Sequence, residues 1–244
     1  RQVFTLNLSQ LLLFYLLVLI ILQWAFQGWY WSQRCGGALI STTSVLTAAH
    51  CVEWRVRVGS TMRSDGGSVH YLVKIINHPD FSFDHLNNDV AVLHLATPAI
   101  LSNYVKIARI AGADYNLLEG SAAVAMGWGA TMGFTADTLQ SVVTNVINQE
   151  LCAARYEYLE TTPEFKSVPN VTTQMWCSGI LNVGGKDSCS GDSGGPVVQQ
   201  GDIVVGIVSW SYQCADAFYP GVNARVSALS DWIVENQYPH KIII

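Results

Sequence analysis

Residues 186–196 read KDSCSGDSGGP, and three glycines and a proline surround Ser193 in this stretch. Glycine and proline interrupt helices and strands, so the stretch predicts a tight turn. A serine hydroxyl becomes a strong nucleophile only when a base lies beside it and donors face the developing oxyanion. The backbone N–H groups of Gly191 and Ser193 are the candidate donors, because such a turn directs them to one point. The alternative is a glycine-rich surface turn with a capping serine, and the partners elsewhere in the chain decide between the two.

The composition excludes several classes of protein. The chain has 244 residues, half of them apolar, which is enough for a large core in one large or two small domains. The net charge is −5 with only 13 Lys and Arg residues, so we expect no nucleic-acid partner. Six cysteines occur without any Cys-x-x-Cys pair, which favours disulfides in an oxidising compartment over a zinc site. Cysteine counting leaves about fifteen pairings open.

An apolar run near the N-terminus has three competing interpretations. Residues 11–22 are twelve consecutive apolar residues, which is short for a membrane-spanning helix. The run is a membrane anchor, the remnant of a signal peptide, or a buried first strand, and the sequence does not rank these interpretations. We therefore set residues 1–27 apart as an atypical N-terminal segment.

From Gly28 onward the pattern predicts an all-β protein. Short apolar runs rich in Val, Ile and Trp alternate with Gly, Asn, Asp and Ser, which is typical of a sandwich or of barrels. Helical signals are limited to one turn after Thr47, residues 149–158 and a final helix over residues 228–237. A polar stretch near residues 96–113 predicts a boundary between two β halves, residues 28–112 and 113–244. The candidate strands are Gly37–Ser41, Arg55–Gly59, Tyr71–Ile76, Val90–Leu95, Ala122–Gly127, Val142–Asn148, Val197–Gln199, Ile203–Trp210 and Gly221–Val226.

Two further segments offer partners for Ser193. Residues 46–51, LTAAHC, end a strand-like run at His50, beside a cysteine that could hold the backbone in place. Residues 87–93, NNDVAVL, put Asp89 at the start of a buried strand, where a carboxylate can fix the tautomer of a histidine. The alternatives are a structural histidine and a strand-end cap. The other histidines lack such neighbours and are expected to be surface or core residues: His70, His78, His85, His94 and His240.

Together, the segments TAAHC, NDVA and GDSGGP resemble the trypsin-like (chymotrypsin-fold) serine endopeptidases. Their order, His then Asp then Ser, is the order of that family. The resemblance covers roughly residues 35–237 and includes CGGALIS at residues 35–41 and GWG at residues 127–129. The segment YPGVNARV, residues 219–226, and the scarcity of Lys look like insect digestive trypsins, those of moth larvae especially.

The resemblance implies a role for each member of the site. His50 is the general base and then the general acid, Asp89 orients it, and Ser193 is the nucleophile. The N–H groups of Gly191 and Ser193 form the oxyanion hole. The implied fold is two antiparallel six-stranded β-barrels with a C-terminal helix, and the site lies in the cleft between the barrels. The implied disulfides are Cys35–Cys51, Cys152–Cys177 and Cys189–Cys214.

The resemblance also implies how substrate binds. The substrate-binding residues are Asp187, Ser188, Ser209, Trp210, Ser211 and Gly221. Asp187 lies six residues before Ser193, where the trypsin branch has a carboxylate that selects Arg or Lys; the alternative is a solvated loop acid. Ser211 stands where trypsins usually have Gly, so its extra atoms would crowd the mouth of the pocket. Residues 209–211 would pair with the substrate backbone as an added strand.

No cofactor and no metal site are expected. Residues 59–70 lack the paired Glu residues of the calcium loop that some trypsins have.

The start of the chain departs from the family pattern. Active members begin Ile-Val-Gly-Gly, and the new N-terminal ammonium pairs with the acid that corresponds to Asp192. Here residues 1–4 read RQVF, so we expect an intact triad with a poorly formed oxyanion hole, as in a zymogen.

Three hypotheses follow. The first is a secreted monomeric endopeptidase that cuts proteins and peptides after Arg or Lys in digestion and that meets protein inhibitors of proteases. The second is a latent or non-catalytic homologue. The third keeps the activity and adds a membrane contact through residues 11–22. The complete triad favours the first hypothesis, and the missing Ile-Val-Gly-Gly start favours the second.

Overall fold

The structure is a computed structural model that describes residues 19–26, 30–51, 55–131 and 134–237. Strands dominate these ranges. The strands are β1 (Leu19–Phe26), β2 (Tyr30–Ser41), β3 (Ser44–Thr47), β4 (Arg55–Val58), β5 (Ser68–Asn77), β6 (Ala91–Leu95), β7 (Arg109–Ile110), β8 (Ala122–Gly127), β9 (Ala130–Thr131), β10 (Phe134–Thr135), β11 (Gln140–Ile147), β12 (Met175–Gly179), β13 (Pro196–Gln199), β14 (Ile203–Trp210) and β15 (Gly221–Arg225). The helices are α1 (Gln149–Glu160), α2 (Val226–Glu235) and a short 3-10 helix, Pro163–Phe165.

The first barrel closes in the order β1-β2-β3-β6-β5-β4, with every pair antiparallel. Its first strand comes from the apolar run, and the side chains of Ile20, Ile21 and Leu22 are buried. Residues 19–26 therefore form a strand that is buried over residues 20–23, and the barrel includes residues that precede Gly28. Residues 11–18, on which the membrane-contact and signal-peptide interpretations also depend, lie outside the described residues. Among the helices of the described ranges, none is long and apolar enough to cross a membrane.

The second barrel closes in the order β13-β8-β11-β12-β15-β14, because β14 also pairs with β13. These pairs are antiparallel, and the short strand β7 adds to β14 in parallel. The predicted fold of two six-stranded antiparallel barrels is confirmed. Strand β7 precedes residue 113 but belongs to the second sheet, so the connection between the barrels packs on the second one.

The helices lie close to their predicted positions. Helix α1 begins after Asn148, whose side chain accepts the N–H of Leu151 at 2.9 Å. Helix α2 follows β15 directly and reaches the first barrel, where the ring of Trp232 lies 4.9 Å from that of His78. The helical turn predicted after Thr47 is a single turn, in which the N–H of Cys51 donates to Ala48 at 3.1 Å.

Three disulfides connect the elements around the cleft, in the pairing that the resemblance implies. Cys35–Cys51 joins β2 to the turn after β3. Cys152–Cys177 joins α1 to β12. Cys189–Cys214 joins the turn before β13 to the loop after β14.

Candidate active site

Strand pairing brings His50 and Asp89 together. Thr47, at the end of β3, pairs with Ala91, at the start of β6, so the residues just beyond each strand end are neighbours. His50 Nδ1 lies 2.7 Å from Asp89 Oδ2, and the backbone N–H of His50 donates to Asp89 Oδ1 at 3.0 Å. Because the carboxylate only accepts, the ring proton is assigned to Nδ1, which leaves the lone pair on Nε2.

Asp89 is 1% exposed and is held from both barrels. The hydroxyl of Ser209, on β14 of the second barrel, donates to Asp89 Oδ2 at 2.5 Å. Three donors therefore satisfy this carboxylate, which a buried charge requires. Ser209 was predicted to pair with the substrate through its backbone, and its side-chain hydroxyl is the group that binds Asp89.

The turn that carries Ser193 lies against the segment that carries His50. Gly194 has φ +75°, and a Cβ at this position would lie 2.2 Å from Thr47 Oγ1 and 2.7 Å from Gly36 O. Only glycine fits both the conformation and this approach. The N–H of Gly194 also donates to Val208 at 2.8 Å, one residue before Ser209. The structure thus brings Ser193 into the region occupied by His50 and Asp89.

The predicted oxyanion donors lie on the same turn. Gly191 has φ +98°, in the left-handed region that glycine favours. In the described part of the chain, the N–H groups of Gly191 and Ser193 donate to no protein acceptor. Both groups are therefore left for a ligand oxygen.

Asp192 has partners that the sequence did not reveal. Its Oδ1 accepts the N–H of Gly129 at 2.7 Å, and its Oδ2 accepts the N–H of Cys189 at 3.0 Å. A Cβ on Gly129 would lie 2.3 Å from the carboxylate, so the GWG segment leaves room for it. Burial raises the pKa of Asp192, and the two backbone N–H groups oppose this shift. Within the described ranges, no salt bridge to a cation satisfies this carboxylate.

Asp187 lies in a second buried position near the turn. Burial raises its pKa to about 6, against hydrogen bonds from the N–H groups of Ala215, at 3.3 Å, and Ser188, at 2.8 Å. A Cβ on Gly221 would lie 2.7 Å from Asp187 Oδ1, so this glycine leaves the wall open beside the acid. Asp187 and Asp192 both line a cavity of about 520 Å³ whose wall contains neither His50 nor Ser193.

An aromatic cluster supports the remaining predicted substrate-binding residues. Trp210 and Ser211 are both half-buried, and the indole of Trp210 meets the ring of Tyr156 edge to face at 4.8 Å. The hydroxyl of Tyr156 donates to Pro220 O at 2.6 Å, next to Gly221. Tyr156 could not be predicted from the sequence, because its only signal is an aromatic residue within helix α1.

Known proteins match most of the chain. The Trypsin family model matches residues 22–233. Trypsin CFT-1 of Choristoneura fumiferana is 44% identical over 214 residues, which cover 84% of this chain and 80% of that protein. Trypsin, alkaline C, of Manduca sexta is 43% identical over 212 residues, 84% of this chain and 79% of its own length. Trypsin of Phaedon cochleariae is 41% identical over 211 residues, with 82% and 78% covered.

The double barrel and the family match define a serine protease. The chain belongs to the trypsin family, as a trypsin-like serine endopeptidase that hydrolyses peptide bonds. The resemblance to insect trypsins predicted from the sequence is confirmed.

Proposed function

We propose that the chain hydrolyses peptide bonds after Arg or Lys through a triad of His50, Asp89 and Ser193. The observation that carries this proposal is the buried carboxylate of Asp89, which holds the imidazole of His50 at Nδ1 and at the backbone N–H. That arrangement fixes the ring with Nε2 as the free base, which a serine nucleophile needs.

The reaction proceeds through an acyl-enzyme. Ser193 Oγ attacks the substrate carbonyl carbon while His50 Nε2 takes the hydroxyl proton, and the N–H groups of Gly191 and Ser193 bind the oxyanion. His50 then gives its proton to the leaving amine as the C–N bond breaks, which leaves an ester on Ser193. Water attacks this ester, His50 takes the water's proton and returns it to Ser193 Oγ, and the acid product leaves. Each oxyanion donor is worth about 10²–10³ in kcat.

Asp187 is the proposed determinant of specificity. Its carboxylate is desolvated, as its raised pKa reflects, and has backbone N–H donors but no salt bridge among the described residues. A substrate guanidinium or ammonium supplies the missing positive charge, whereas an apolar side chain leaves the carboxylate without it. Ser188 and Gly221 flank this acid, and Ser211 narrows the entrance.

The substrate backbone adds as a strand along residues 209–211 at the end of β14. We further propose that the protein is secreted, acts extracellularly as a monomer in digestion and meets protein inhibitors. Its three disulfides suit an oxidising compartment, and the relatives named above are insect trypsins.

The test uses two fluorogenic peptides that differ only in Arg or Leu before the scissile bond. Asp187→Ser should lower kcat/KM for the Arg peptide by roughly 10²–10³-fold, because the substrate cation loses its buried partner, and should change the Leu peptide little. Asp202→Ser removes a carboxylate that pairs with Arg109 at the surface and serves as the control. Equal losses on both peptides would contradict the assignment of Asp187.

A further inference from the structure

Strand β2 of the first barrel holds the turn of the second barrel on both sides of Asp192. The side-chain Nε2 of Gln33 donates to the carbonyl of Gly191 at 2.5 Å. The backbone N–H of Gly36 donates to the carbonyl of Ser193 at 2.7 Å. The carbonyls of both residues that supply the proposed oxyanion donors are therefore fixed by one strand.

The orientation of the Gln33 amide follows from its surroundings. Nε2 faces two carbonyl acceptors, Gly191 O and Cys35 O, the second at 3.3 Å. The reverse orientation would put Oε1 against both oxygens, so Nε2 is the donor. Gln33 is only 6% exposed, and its Oε1 is buried without a partner in the described ranges. Burying an unpaired Oε1 costs free energy that an apolar side chain of the same length would not cost. The hydrogen bond that Nε2 donates is what offsets this cost.

The bound carbonyl lies at the residue whose conformation matters for the oxyanion hole. Gly191 has φ +98°, and glycine has other conformations available to it, in which its N–H would point elsewhere. Hydrogen bonds to the carboxylate of Asp192 hold the turn from the Gly129 side. Gln33 holds the turn from the opposite side, through its hydrogen bond from the first barrel to the Gly191 carbonyl.

We infer that Gln33 is a positioning residue for the oxyanion hole, which it maintains by fixing the Gly191 carbonyl. This inference rests on the proposed function, since it concerns the same transition state. Gln33 touches neither the substrate nor the reacting atoms in this role. Its removal should therefore weaken transition-state stabilisation and leave ground-state binding at Asp187 unchanged.

The first test is Gln33→Met in the full chain, which keeps the length and removes the donor. We expect kcat on the Arg peptide to fall about tenfold, less than the 10²–10³-fold that outright loss of an oxyanion donor causes. KM, and the inhibition constant of benzamidine as a cation for the Asp187 pocket, should change less than about twofold.

The matched control is Gln23→Met. Gln23 is a buried glutamine of the same barrel, 1% exposed, but its amide binds Arg63 O and the guanidinium of Arg55. Thermal unfolding of both variants measures the structural effect of removing a buried glutamine. We expect both variants to lose stability and only Gln33→Met to lose kcat.

The second test is Gln33→Glu, which keeps the shape and makes the donor titratable. Burial and the two facing carbonyls raise the pKa of the new carboxyl group, which donates to Gly191 only when protonated. Its kcat should therefore fall on the alkaline side, where the unsubstituted chain keeps its plateau. This pH profile tests whether the hydrogen bond from residue 33 to Gly191 supports kcat, even if Gln33→Met fails to fold.

The outcomes distinguish a failure of the proposed function from a failure of the role assigned to Gln33. A chain without amide hydrolysis overturns the proposed function and this inference with it. An active chain in which Gln33→Met keeps its kcat, or loses no more than Gln23→Met, overturns the inference alone. An alkaline plateau in Gln33→Glu overturns it as well.

Discussion

Two buried carboxylates, Asp187 and Asp192, lie in the wall of one cavity, and burial raises the pKa of each. Each accepts two backbone N–H groups, and none of the salt bridges of the described residues includes either of them. Ionising them therefore costs more free energy in the folded state than in water, and a bound cation recovers part of that free energy. Under the proposed function, the free energy that this burial costs is what makes the Asp187 site favour a cationic substrate side chain.

The stability of the fold should depend on pH through Asp187. Its folded pKa, about 6, lies above the ordinary value of 3.8, so the contribution of this group to stability is full below about pH 4 and is lost as the pH rises through 6. The shift corresponds to roughly 3 kcal/mol. Asp187→Asn removes the ionisation. The difference between its Tm and that of the unsubstituted chain should therefore grow by roughly 5–10 °C from pH 4 to pH 7.

Thermal unfolding at several pH values checks this expectation. Asp231→Asn, at an exposed position on α2, is the control, and its Tm should differ from that of the unsubstituted chain by the same amount at every pH. A difference in Tm between Asp187→Asn and the unsubstituted chain that stays constant from pH 4 to pH 7 would contradict the buried state of Asp187.

At the scale of elements, helix α1 begins at a capping residue, Asn148, and positions the aromatic cluster. Asn148 Oδ1 caps the helix at Leu151, and its Nδ2 donates to Glu119 at 2.9 Å. Farther along the helix, Tyr156 packs against Trp210 and binds Pro220. A single cap therefore contributes to the order of the segment around the proposed substrate site.

Removing this cap should destabilise the protein measurably. Asn148→Ala should lower the free energy of unfolding by about 1 kcal/mol, because one N–H of the first turn loses its acceptor. The Tm should fall by about 2–4 °C. Asn148→Ser keeps a capping oxygen but loses the bond to Glu119, so it should retain most of the stability. Equal losses in the two variants would show that Glu119, and not the cap, carries the effect.

The sequence predicts those elements whose apolar residues recur with a clear period or whose ends carry clear turn residues. The strands Ala122–Gly127 and Ile203–Trp210 have the bounds that the pattern predicts, and α1 begins at Gln149 as expected. Strand β1 was only one of three interpretations, because an unbroken apolar run has no period of two. The two-residue strands β7, β9 and β10 are too short for any pattern.

The positions of the site residues could be predicted only where a motif marks them. His50, Asp89 and Ser193 could be named as the candidate triad because each stands in a distinctive local sequence. Gln33 and the Gly129 donor to Asp192 were not found, because each contact joins groups that are far apart in sequence. Such contacts depend on how strands and barrels pack on one another, which no local pattern contains.

At the scale of the whole molecule, hydrogen bonds to a backbone carbonyl of the first barrel join the two barrels. The carbonyl of Thr61, in the first barrel, accepts the indole N–H of Trp128 at 2.9 Å and the N–H of Leu139 at 2.8 Å. Trp128 is fully buried and precedes Gly129, the partner of Asp192. Together with β2, these contacts join the barrel that carries His50 and Asp89 to the barrel that carries the proposed nucleophile, Ser193.

The most direct test of the proposed triad is covalent labelling of the full chain with phenylmethylsulfonyl fluoride, followed by peptide mapping by mass spectrometry. We expect one adduct, on Ser193, with amide hydrolysis lost in proportion to labelling. His50→Ala should prevent the labelling, and Ser193→Ala should lower kcat by roughly 10⁴–10⁶-fold, because the triad acts as a unit. An adduct on another serine, or hydrolysis that persists when Ser193 is fully labelled, would contradict the assignment of the nucleophile.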